Sequence, residues 1–594
     1  MRREIRKIML IQPPRLMYGK DEHKRSAPPI GIAYLAAVIE DSYEVKILDA
    51  TAEGFWQSND VGGGLLTYGL DYKEIEERVR QFGPDVVGIS SIFTSQHPNA
   101  TKVATLVKSV DKDIITVVGG DHPTALTREV LAEGVYDFVV IGEGEYTFRD
   151  LLKALESGGG YDGIDGLAYR DGDRVVVNPK TSYIKDLDEL PFPAWRLLPM
   201  ELYQKINSPH SEPIPLDRLP YTPMVSSRGC PAACTFCSSA MMWGRHNLRI
   251  RSAENVLEEM ELLVNRGYKE IYFDDDNFIY DNRRAHKILD AMIENKWDIT
   301  WSMPNGVALY SLNRPLLEKM KRSGCHTLCL PIESGSQRVL SHIIHKPLSL
   351  KKVPDLIRDM KDIGFFTMGF FMIGFPGETK EEIEQTISFA FEMKKIGMDY
   401  ASFFNVIPLP GTEIYKTCME YDYIDDMVLT KMITGKGMIK TPEFDPEYLG
   451  RVRHKAWAML NFAGNTDFLL YPEEAGAIRD KMDSLNVGKD ARLLVMGDFA
   501  EVVRSLSDTG DTLTAVTSEG QLVDILSGDK PDALLIDTGM EGFDAWGFMK
   551  RLRKDERLRG LPTVLIIKDG KDALKGRDIT WLITEVLDKK ESYA

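Results

Sequence analysis

The sequence predicts an α/β protein built from several domains, and three observations support this fold class. The chain has 594 residues, which is too many for one hydrophobic core because a domain usually holds about 100–200 residues. Short apolar, β-rich runs alternate with amphipathic helical patterns along most of the chain. The composition, with 43% hydrophobic and 27% charged residues, is that of an ordinary globular protein and excludes a fibrous or wholly disordered chain.

Residues 1–155 are predicted to form the first unit, a doubly wound, Rossmann-like domain. Apolar runs alternate there with helical patterns at Ile32–Glu40 and Ala100–Val107. Short strands separated by amphipathic helices indicate βαβ units and a parallel sheet. The predicted strands are Ile8–Ile11, Tyr43–Leu48, Val86–Ser90, Ile114–Val118 and Phe138–Ile141.

Residues 156–215 are rich in Gly, Asp and Pro, and they predict a linker. The pair Asp171-Gly172 lies between two strand-like runs, which is typical of a β-hairpin. The linker is therefore predicted to contain one hairpin.

Residues 216–420 resume the alternation of strands and helices and predict a partial (β/α)6 barrel. In such a barrel the active site lies where the strands end. We expect helices over Ala253–Arg266 and Asn282–Asn295. The predicted strands are Thr222–Ser226, Glu270–Phe273, Thr300–Ser302 and four further strands.

The last part of the chain predicts two different units. Residues 421–488 lose the β pattern and are predicted to be helical. Residues 489–594 predict a third, flavodoxin-like α/β domain. Its predicted strands are Arg492–Val495, Ala533–Ile536 and Thr563–Ile567.

Charge and hydropathy exclude several classes of partner and location. The net charge of −17 disfavours a broad nucleic-acid surface or tight binding to anionic lipid. The longest apolar stretch, Gly364–Phe375, is well short of the ~20 residues that span a bilayer. Gln12-Pro13-Pro14 interrupts the apolar run near the N-terminus, so we expect no signal peptide and a cytoplasmic protein.

Three of the six cysteines lie within eight positions, and this cluster is the strongest chemical signal in the chain. Cys230, Cys234 and Cys237 form Cys-x3-Cys-x2-Cys on a loop after a predicted strand. Soft thiolate ligands select iron–sulfur clusters or zinc. Three ligands on a [4Fe-4S] cubane leave one iron open to chelate a further ligand. The other cysteines, Cys325, Cys329 and Cys418, are predicted to be core residues.

A structural zinc site is the alternative for the same three cysteines. Zinc needs a fourth protein ligand to close its tetrahedron. His246 is the nearest candidate, and its spacing from Cys237 fits no familiar zinc knuckle. The sequence therefore favours the iron–sulfur cluster.

The segment Ser227–Cys237 closely resembles the motif of the radical S-adenosylmethionine superfamily, including the aromatic Phe236 before the last cysteine. The resemblance implies that the open iron binds the amino and carboxylate groups of S-adenosylmethionine and that one electron cleaves its S–C5′ bond. It also implies an electron donor such as flavodoxin or ferredoxin.

Further segments resemble the same superfamily in order and distance, and imply contacts to S-adenosylmethionine. They start at Phe273, Pro331, Phe371 and Val406. Singly, each could be a helix cap or tight turn, the acidic run could be a solvated surface, and Phe236 could be an ordinary buried aromatic. The contacts implied are Phe236, Asp274, Asp275, Asp276, Glu333, Ser334, Gly335, Gly374 and Pro408.

In the order of its segments, the first unit resembles the cobalamin-binding domain of cobalamin-dependent radical S-adenosylmethionine enzymes. The Asp-x-His-x-x-Gly signature of a histidine ligand to cobalt is missing, so we expect no histidine beneath the cobalt. His97 and His122 are more often loop or core residues, and a domain that has lost cobalamin binding is an alternative. The cobalamin contacts implied are Ser90, Ser91, Thr94, Gly119, Gly120, His122, Gly142, Glu143 and Gly144.

The C-terminal unit resembles a response-regulator receiver, chiefly through the segment from Pro531 to Asp544. Asp537 occupies the position of the phosphorylated aspartate. The acid pair that binds magnesium is reduced to Asp498, and no lysine precedes a proline near the last strand. A phosphate needs such cations, so we expect a degenerate receiver used for packing or for docking a protein partner.

The combined resemblance implies methyl transfer to an unactivated carbon or phosphorus, with cobalamin carrying the methyl group. Two alternatives remain open. The same architecture is similar to that of ring-forming cyclases and of enzymes that form C–C bonds or rearrange carbon skeletons. An iron–sulfur redox sensor that signals through the receiver-like unit is the other. No segment selects a substrate.

Overall fold

The structure is a computed structural model, and it describes residues 4–18, 24–62, 65–209, 218–424, 437–462, 468–470, 491–496, 512–528, 530–537, 548, 558, 561 and 563–566. The chain is α/β throughout these ranges. Within them, no helix combines the length and the apolar character that crossing a bilayer would need.

The first sheet has seven strands in the order β10-β9-β8-β7-β6-β1-β3. The five strands β3, β1, β6, β7 and β8 are parallel. From β1 the chain adds β3 on one side of the sheet and then β6, β7 and β8 on the other side, so the strand order switches direction between β1 and β6. In such open sheets a ligand binds outside the carboxyl ends of the strands at this switch point. The strands are β1 (Lys7–Gln12), β3 (Glu44–Asp49), β6 (Val86–Ser90), β7 (Ile115–Gly119), β8 (Phe138–Val140), β9 (Leu167–Asp171) and β10 (Arg174–Val177).

Helices cover both faces of this sheet and bury its apolar residues in two clusters. A capping box between Asp71 and Glu74 begins the third helix, and Gly83 in a left-handed conformation ends it. The helices are α1 (Ile30–Ile39), α2 (Ala50–Glu53), α3 (Tyr72–Phe82), α4 (His97–Val110), α5 (Asp121–Ala125), α6 (Thr127–Ala132) and α7 (Glu145–Ser157).

The predicted hairpin at Asp171-Gly172 is present, but it belongs to the first sheet. Its strand β9 pairs antiparallel with β8, and β10 forms the edge. The sequence placed this hairpin in a linker because its turn is visible locally while its pairing to β8 is not.

A small antiparallel sheet next to the first one was not predicted. Its strands are ordered β2-β5-β4. All five residues of β4 are exposed, so this strand shows no alternation of buried apolar and exposed polar residues. The strands are β2 (Arg15–Tyr18), β4 (Ser58–Gly62) and β5 (Leu65–Tyr68).

The central sheet has six parallel strands in chain order, from β11 to β18. Three strands follow Thr300–Met303, so the expectation of four was wrong by one. Between Asn405 and residue 420 the chain forms a helix, Glu413–Glu420, instead of a further strand. The strands are β11 (Tyr221–Met224), β14 (Glu270–Phe273), β15 (Thr300–Met303), β16 (Cys325–Glu333), β17 (Phe366–Ile373) and β18 (Tyr400–Asn405).

Helices alternate with these strands and pack their apolar faces against the sheet. Residues 229–238, which carry the three clustered cysteines, are called the cysteine loop. The two-residue strand β12 (Ser227–Arg228) directly precedes this loop and pairs antiparallel with β13 (Arg249–Ile250), which follows it along the chain. The helices are α8 (Met200–Ile206), α9 (Ser239–Trp243), α10 (Ala253–Asn265), α11 (Asn282–Asn295), α12 (Arg314–Arg322), α13 (Val353–Ile363), α14 (Lys380–Lys395), α15 (Glu413–Glu420) and α16 (Pro446–Phe462).

The last sheet is parallel, with the order β19-β23-β22-β20-β21. The strand β19 lies in the region predicted to be helical, and it pairs with β23 from the far end of the chain. A helix spans Glu519–Ser527. Asp498 lies outside the described residues, as does the side chain of Asp537. The strands are β19 (Phe468–Leu470), β20 (Arg492–Met496), β21 (Thr512–Val516), β22 (Ala533–Asp537) and β23 (Thr563–Ile566).

Candidate active site

The three clustered cysteines lie on the loop between β12 and α9, and all three are partly exposed. Thr235 fixes the middle of this loop. Its backbone N–H donates to the carbonyl of Ile344 at 3.0 Å, and its hydroxyl donates to the carbonyl of Ile343 at 2.8 Å. The loop is therefore held against the segment that follows β16. The remaining cysteines, Cys325, Cys329 and Cys418, are buried, as predicted.

Within the described residues, His246 is not grouped with the cysteines around a common metal-ion position. Its Nδ1 lies 2.8 Å from the carbonyl oxygen of Pro231, to which the ring donates. Within the described ranges, no three His, Cys, Asp or Glu side chains are arranged to hold a single metal ion. A cubane cluster makes a different demand, since each thiolate binds a separate iron.

Burial raises the pKa of the Cys234 thiol to about 11 and that of Cys237 to about 12. These groups are therefore neutral thiols until a metal binds. Because only the thiolate binds metal, loading the loop releases protons.

A buried ammonium group accompanies the cysteines, and the sequence alone did not reveal it. Lys346 Nζ lies 3.0 Å from Glu333 Oε1, and the two side chains are 14% and 8% exposed. Burial alone would lower the pKa of Lys346, but Glu333, Cys234 and Cys237 raise it above its ordinary value. The site thus holds a fixed positive charge beside the thiols.

Glu333, one of the predicted contacts, lies at the end of β16 with φ at +69°. A non-glycine residue adopts this left-handed conformation at a cost, and such residues collect at functional sites. The pairing of β16 with β17 is irregular between Pro331 and Glu333. This irregularity turns the carboxylate toward Lys346.

Two of the three predicted aspartates brace the cysteine loop. Asp275 is 2% exposed and accepts from the backbone N–H of Ser226 at 3.1 Å and from the Ser227 hydroxyl. Asp276 accepts from the backbone N–H of Gly229 at 3.1 Å and from the Ser239 hydroxyl at 2.8 Å. They therefore fix residues just before and just after the three cysteines.

Asp274 and Asn277 lie on either side of Asp275 and Asp276 along the chain. Asp274 directly follows β14 and is partly exposed. The amide of Asn277 donates to the Tyr310 hydroxyl at 3.1 Å and lies 3.9 Å from Cys230 Sγ. Asn277 is a site residue that the sequence did not reveal, because only its position in the fold brings it to a cysteine.

The other predicted contacts to S-adenosylmethionine lie at the carboxyl ends of the central strands. The ring of Phe236 meets the buried ring of Phe375 edge to face at 5.9 Å, and Pro408 is buried. Ser334 is fully buried and bonds to Thr386 at 3.0 Å. The hydroxyl of Ser334 therefore faces α14.

Two glycines predicted to admit a ligand instead admit neighbouring helices. A Cβ on Gly335 would lie 2.5 Å from the carbonyl oxygen of Gln385, and one on Gly374 would lie 2.7 Å from a methyl carbon of Leu449. The close approach that requires glycine is thus to α14 and α16. A ligand contact through their backbones stays a prediction.

At the first sheet, the predicted cobalamin residues lie at the carboxyl ends of β6, β7 and β8. The rings of His97 and His122 lie 4.0 Å apart. Burial lowers the pKa of His122 to about 3, and its Nδ1 lies 3.2 Å from the Thr94 hydroxyl. His97 bonds to Ser91 at 2.9 Å. The two histidines are members of a buried polar cluster, in which His97 also contacts Glu133 at 2.9 Å.

The switch point between β1 and β6 presents apolar side chains to solvent. Ile92 is 43% exposed and Phe93 is 52% exposed, next to Ser90 at the end of β6. A Cβ on Gly120 would lie 2.5 Å from the carbonyl oxygen of Ser91, so this glycine lets two strand-end loops touch. A small cavity here is lined by Gln12, Pro13, Pro14, Arg15, Ser90, Ile92, Phe93 and Gln96.

The loop after β8 faces the cysteine loop. Gly142 donates its N–H to Thr124 at 2.8 Å and lies against the carbonyl of Met242 in α9. Glu143, predicted as a cobalamin contact, is 2% exposed. Both of its carboxylate oxygens accept hydrogen bonds from arginines, Arg228 and Arg249, of residues 216–420, which we call the central unit. Gly144 precedes α7. This loop therefore forms part of a junction between the two units.

Two family descriptions match the chain. A B12 binding domain matches residues 22–152, and the radical SAM superfamily matches residues 224–390. The first match contains the ends of β6, β7 and β8, and the second contains the three cysteines.

The chain is also similar to curated proteins over most of its length. An uncharacterized methyltransferase of Pyrococcus horikoshii is 34% identical over 76% of this chain and 92% of that protein. The cytidylyl-2-hydroxyethylphosphonate methyltransferase of Streptomyces wedmorensis is 34% identical over 74% and 87%. The anaerobic magnesium-protoporphyrin IX monomethyl ester cyclase of Rubrivivax gelatinosus is 26% identical over 77% and 78%.

Solved structures share the fold at low identity. The radical S-adenosylmethionine methyltransferase TsrM from Kitasatospora setae, with cobalamin and a [4Fe-4S] cluster bound, aligns at a TM-score of 0.55 and 17% identity over 70% of this chain and 78% of that one. The cobalamin-dependent S-adenosylmethionine radical enzyme OxsB aligns at 0.58 and 15% identity over 99% and 80%. With the family matches and the 34% relatives, these findings show that the chain belongs to the radical S-adenosylmethionine enzymes that carry a B12-binding domain.

Proposed function

We propose that this protein is a cobalamin-dependent radical S-adenosylmethionine methyltransferase that acts on an unactivated carbon or phosphorus. One observation carries the proposal. The strand-end loops of the B12-binding domain contact the residues on either side of the cysteine loop, through Glu143 and Arg228 on one side and Asp121 and Ser238 on the other. Ligands at these two places would therefore be neighbours.

The residues present fit an iron–sulfur cluster and S-adenosylmethionine. Cys230, Cys234 and Cys237 would hold the cluster, and Lys346 would offset its negative charge. When bound, the cluster supplies the electron that cleaves S-adenosylmethionine, and cobalamin carries the methyl group. We propose that Asp274, Asp275 and Asp276 lie at the methionine amino group, that Glu333, Ser334 and Gly335 lie at the ribose and carboxylate, and that Phe236, Gly374 and Pro408 lie at the nucleoside.

The carboxyl edge of the first sheet also fits cobalamin. The exposed Ile92 and Phe93 offer an apolar surface to a corrin ring, at the switch point where open α/β sheets bind ligands. Because His122 is buried against His97, we propose that the protein supplies no histidine to the cobalt.

The proposed reaction balances without further reagents except electrons. One S-adenosylmethionine would supply the methyl group that cobalamin carries and would leave S-adenosylhomocysteine. A second accepts an electron and yields methionine and, with a hydrogen from the substrate, 5′-deoxyadenosine. Two electrons per methylated product must come from a donor such as flavodoxin or ferredoxin, and an oxygen-sensitive cluster favours the reducing cytoplasm.

Transfer of an isotope-labelled methyl group tests the proposal. Protein loaded with cluster and cobalamin is incubated anaerobically with methyl-labelled S-adenosylmethionine and a reductant, first alone and then with candidate substrates. We expect the label on the cobalamin, followed by the label in a product together with 5′-deoxyadenosine. A product that forms without the label would contradict methyl transfer.

Ring closure is the second candidate, because a ring-forming cyclase is similar over 77% of the chain. The same incubation separates the two. A cyclase gives 5′-deoxyadenosine and a substrate that has lost hydrogen, with all of the label left in methionine and unreacted S-adenosylmethionine. The redox-sensor alternative predicts no 5′-deoxyadenosine.

The five segments 1–155, 156–215, 216–420, 421–488 and 489–594 remain our proposed division of the chain, with the hairpin of the second assigned to the first sheet. The C-terminal unit is proposed to be a degenerate receiver. Its parallel strands β20, β21, β22 and β23 support this, and it would serve packing or a protein partner.

A further inference from the structure

Four charged side chains meet where the B12-binding domain contacts the central unit. Arg228 donates through Nη1 to Glu143 Oε1 and through Nη2 to Glu145 Oε1, both at 2.6 Å. Arg249 Nη1 donates to both oxygens of Glu143 at 2.9 Å and to the carbonyl of Ile184 at 2.8 Å. We call Glu143, Glu145, Arg228 and Arg249 the junction cluster.

The junction cluster is buried and electrically balanced. Its side chains are between 1% and 7% exposed, and two carboxylates face two guanidinium groups. Such a buried group stabilises a protein little compared with apolar side chains of the same size, because the charges lose their hydration. A guanidinium that bonds two carboxylates does fix their relative orientation. The cluster is therefore better suited to setting geometry than to adding stability.

The cluster lies directly beside the cysteine loop. Arg228 ends β12, two residues before Cys230, and it pairs in register with Arg249 of β13. A shift of Arg228 would therefore move the first cysteine. On the other side, Glu143 and Glu145 belong to the loop after β8 and the start of α7, at the carboxyl edge of the first sheet.

A second contact holds the far end of the same loop. The hydroxyl of Ser238, the residue after Cys237, donates to the Asp121 carboxylate in α5. Burial raises the pKa of Asp121 to about 6, so the charge of this carboxylate changes with pH around pH 6. In the junction cluster, burial alone would lower the pKa of Arg228, but Glu145 and Glu143 raise it above its ordinary value, so this is the more constant of the two contacts.

We propose that Glu143 and Arg228 are positioning residues that fix the distance and orientation between the two cofactor sites. This inference rests on the proposed function, since it assumes that both cofactors act in one reaction. It assigns Glu143 a role at the domain junction that differs from the cobalamin contact predicted from the sequence. Loss of the cluster should leave each cofactor bound and impair the transfer between them.

Two variants test this, with a matched control. Glu143→Gln removes the carboxylate shared by both arginines. Arg228→Lys keeps the charge but lacks the planar pair of nitrogens that holds Glu143 and Glu145 in a fixed orientation, so it should fold even where the first variant does not. Glu270→Gln is the control, because Glu270 is buried at the amino end of β14, where it bonds to Thr300 and to His326, both of the central unit.

The first readout is the magnetic dipolar coupling between the reduced cluster and paramagnetic cobalt in the loaded protein, measured by pulsed electron paramagnetic resonance. We expect one narrow distance distribution in the wild type and in Glu270→Gln, and a broadened or displaced one in Glu143→Gln and Arg228→Lys. Iron and cobalt contents should match the wild type in every variant that folds.

The second readout is methylated product per 5′-deoxyadenosine. A displacement of about 1 Å can cost on the order of a hundredfold in rate, so we expect this ratio to fall on the order of ten- to a hundredfold in Glu143→Gln, less in Arg228→Lys, and not in Glu270→Gln. A wild-type distance distribution in both test variants would overturn the inference. If the wild type makes no methylated product, the proposed function fails, and the dipolar measurement still decides this inference separately.

Discussion

Single residues around the cysteine loop control its charge, and Lys346 is the clearest case. The reduction potential of an iron–sulfur cluster depends on the net charge and hydrogen bonds around it. The ammonium of Lys346 is buried beside Cys234 and Cys237 and paired with Glu333. Its removal would leave a buried carboxylate next to a negatively charged cluster.

We therefore expect Lys346→Met to make the cluster harder to reduce, with a potential lowered by on the order of tens of millivolts. A potentiometric titration followed by electron paramagnetic resonance measures this shift. Lys319→Met is the control, because Lys319 pairs with Asp290 on an outer helix, and it should leave the potential unchanged. Equal reduction potentials in both variants would show that Lys346 does not act on the cluster.

Glu378 makes stability depend on pH. It is fully buried in the loop after β17, where burial raises its pKa to about 8. Its Oε2 accepts from the backbone N–H of Gly374 at 2.7 Å and of Phe375 at 3.0 Å. An unfolded glutamate has lost its proton above about pH 4.3, whereas the folded protein keeps it until about pH 8.

Between these two values the unfolded state binds fewer protons, so this residue makes stability fall as pH rises, by up to about 1.4 kcal/mol per pH unit. Glu378→Gln should remove that slope, and its gain in unfolding free energy over the wild type should grow from about pH 5 to about pH 8. Denaturant unfolding under anaerobic conditions measures it. Parallel pH profiles would refute the assignment, and Glu384→Gln, at an exposed position, is the control.

At the level of helices, strands and loops, the turn at Gly229 decides how the cysteine loop leaves β12. Gly229 has φ at +85°, and a Cβ there would lie 2.1 Å from the carbonyl oxygen of Asn247. A side chain would therefore strain the backbone and also collide with another backbone segment.

Gly229→Ala should fold with a displaced loop and lose most of its cluster iron. Gly267→Ala is a matched control, because Gly267 has φ at +89° with nothing within 4 Å of an added Cβ. That variant carries the same strain, costing roughly 1 kcal/mol, without the collision. Iron and sulfide analysis after anaerobic reconstitution compares the two. Full iron content in Gly229→Ala would show that the loop tolerates the change.

The elements that the sequence predicted are those whose pattern is local. Strands such as Val86–Ser90 and Glu270–Phe273 are short runs rich in β-branched and aromatic residues, and the structure forms both with those bounds. Strand β4 was missed because its exposed residues have no apolar pattern, and β19 was missed because its pairing partner lies at the far end of the chain. Pairing between distant segments leaves no mark in a window of sequence.

The same distinction applies to the site. The three cysteines lie close together along the chain, so the sequence alone displays their ligand pattern. Lys346, Asn277 and Arg249 reach the cysteine loop from other segments, and no spacing reveals them. Ser334 and Gly335 end a strand as predicted, but the structure turns them toward α14. The direction in which a residue at a strand end faces depends on packing against neighbouring helices, which the local sequence does not show.

For the whole molecule, the arrangement of the first two units carries the function. The B12-binding domain presents its strand-end loops to the loop that bears the cysteines. The seven-stranded and six-stranded sheets share one apolar cluster across this contact. Two separate cofactor sites are thereby held within one packed body, which a reaction that draws on both requires.

Formation of 5′-deoxyadenosine tests the central claim most directly. Protein reconstituted anaerobically with iron and sulfide is reduced with dithionite in the presence of S-adenosylmethionine, and the products are measured by mass spectrometry. The wild type and Cys418→Ala, which alters a buried core cysteine, should yield methionine and 5′-deoxyadenosine in equal amounts, while Cys234→Ala should yield neither. Wild-type protein that carries a full cluster and still forms no 5′-deoxyadenosine would contradict this account.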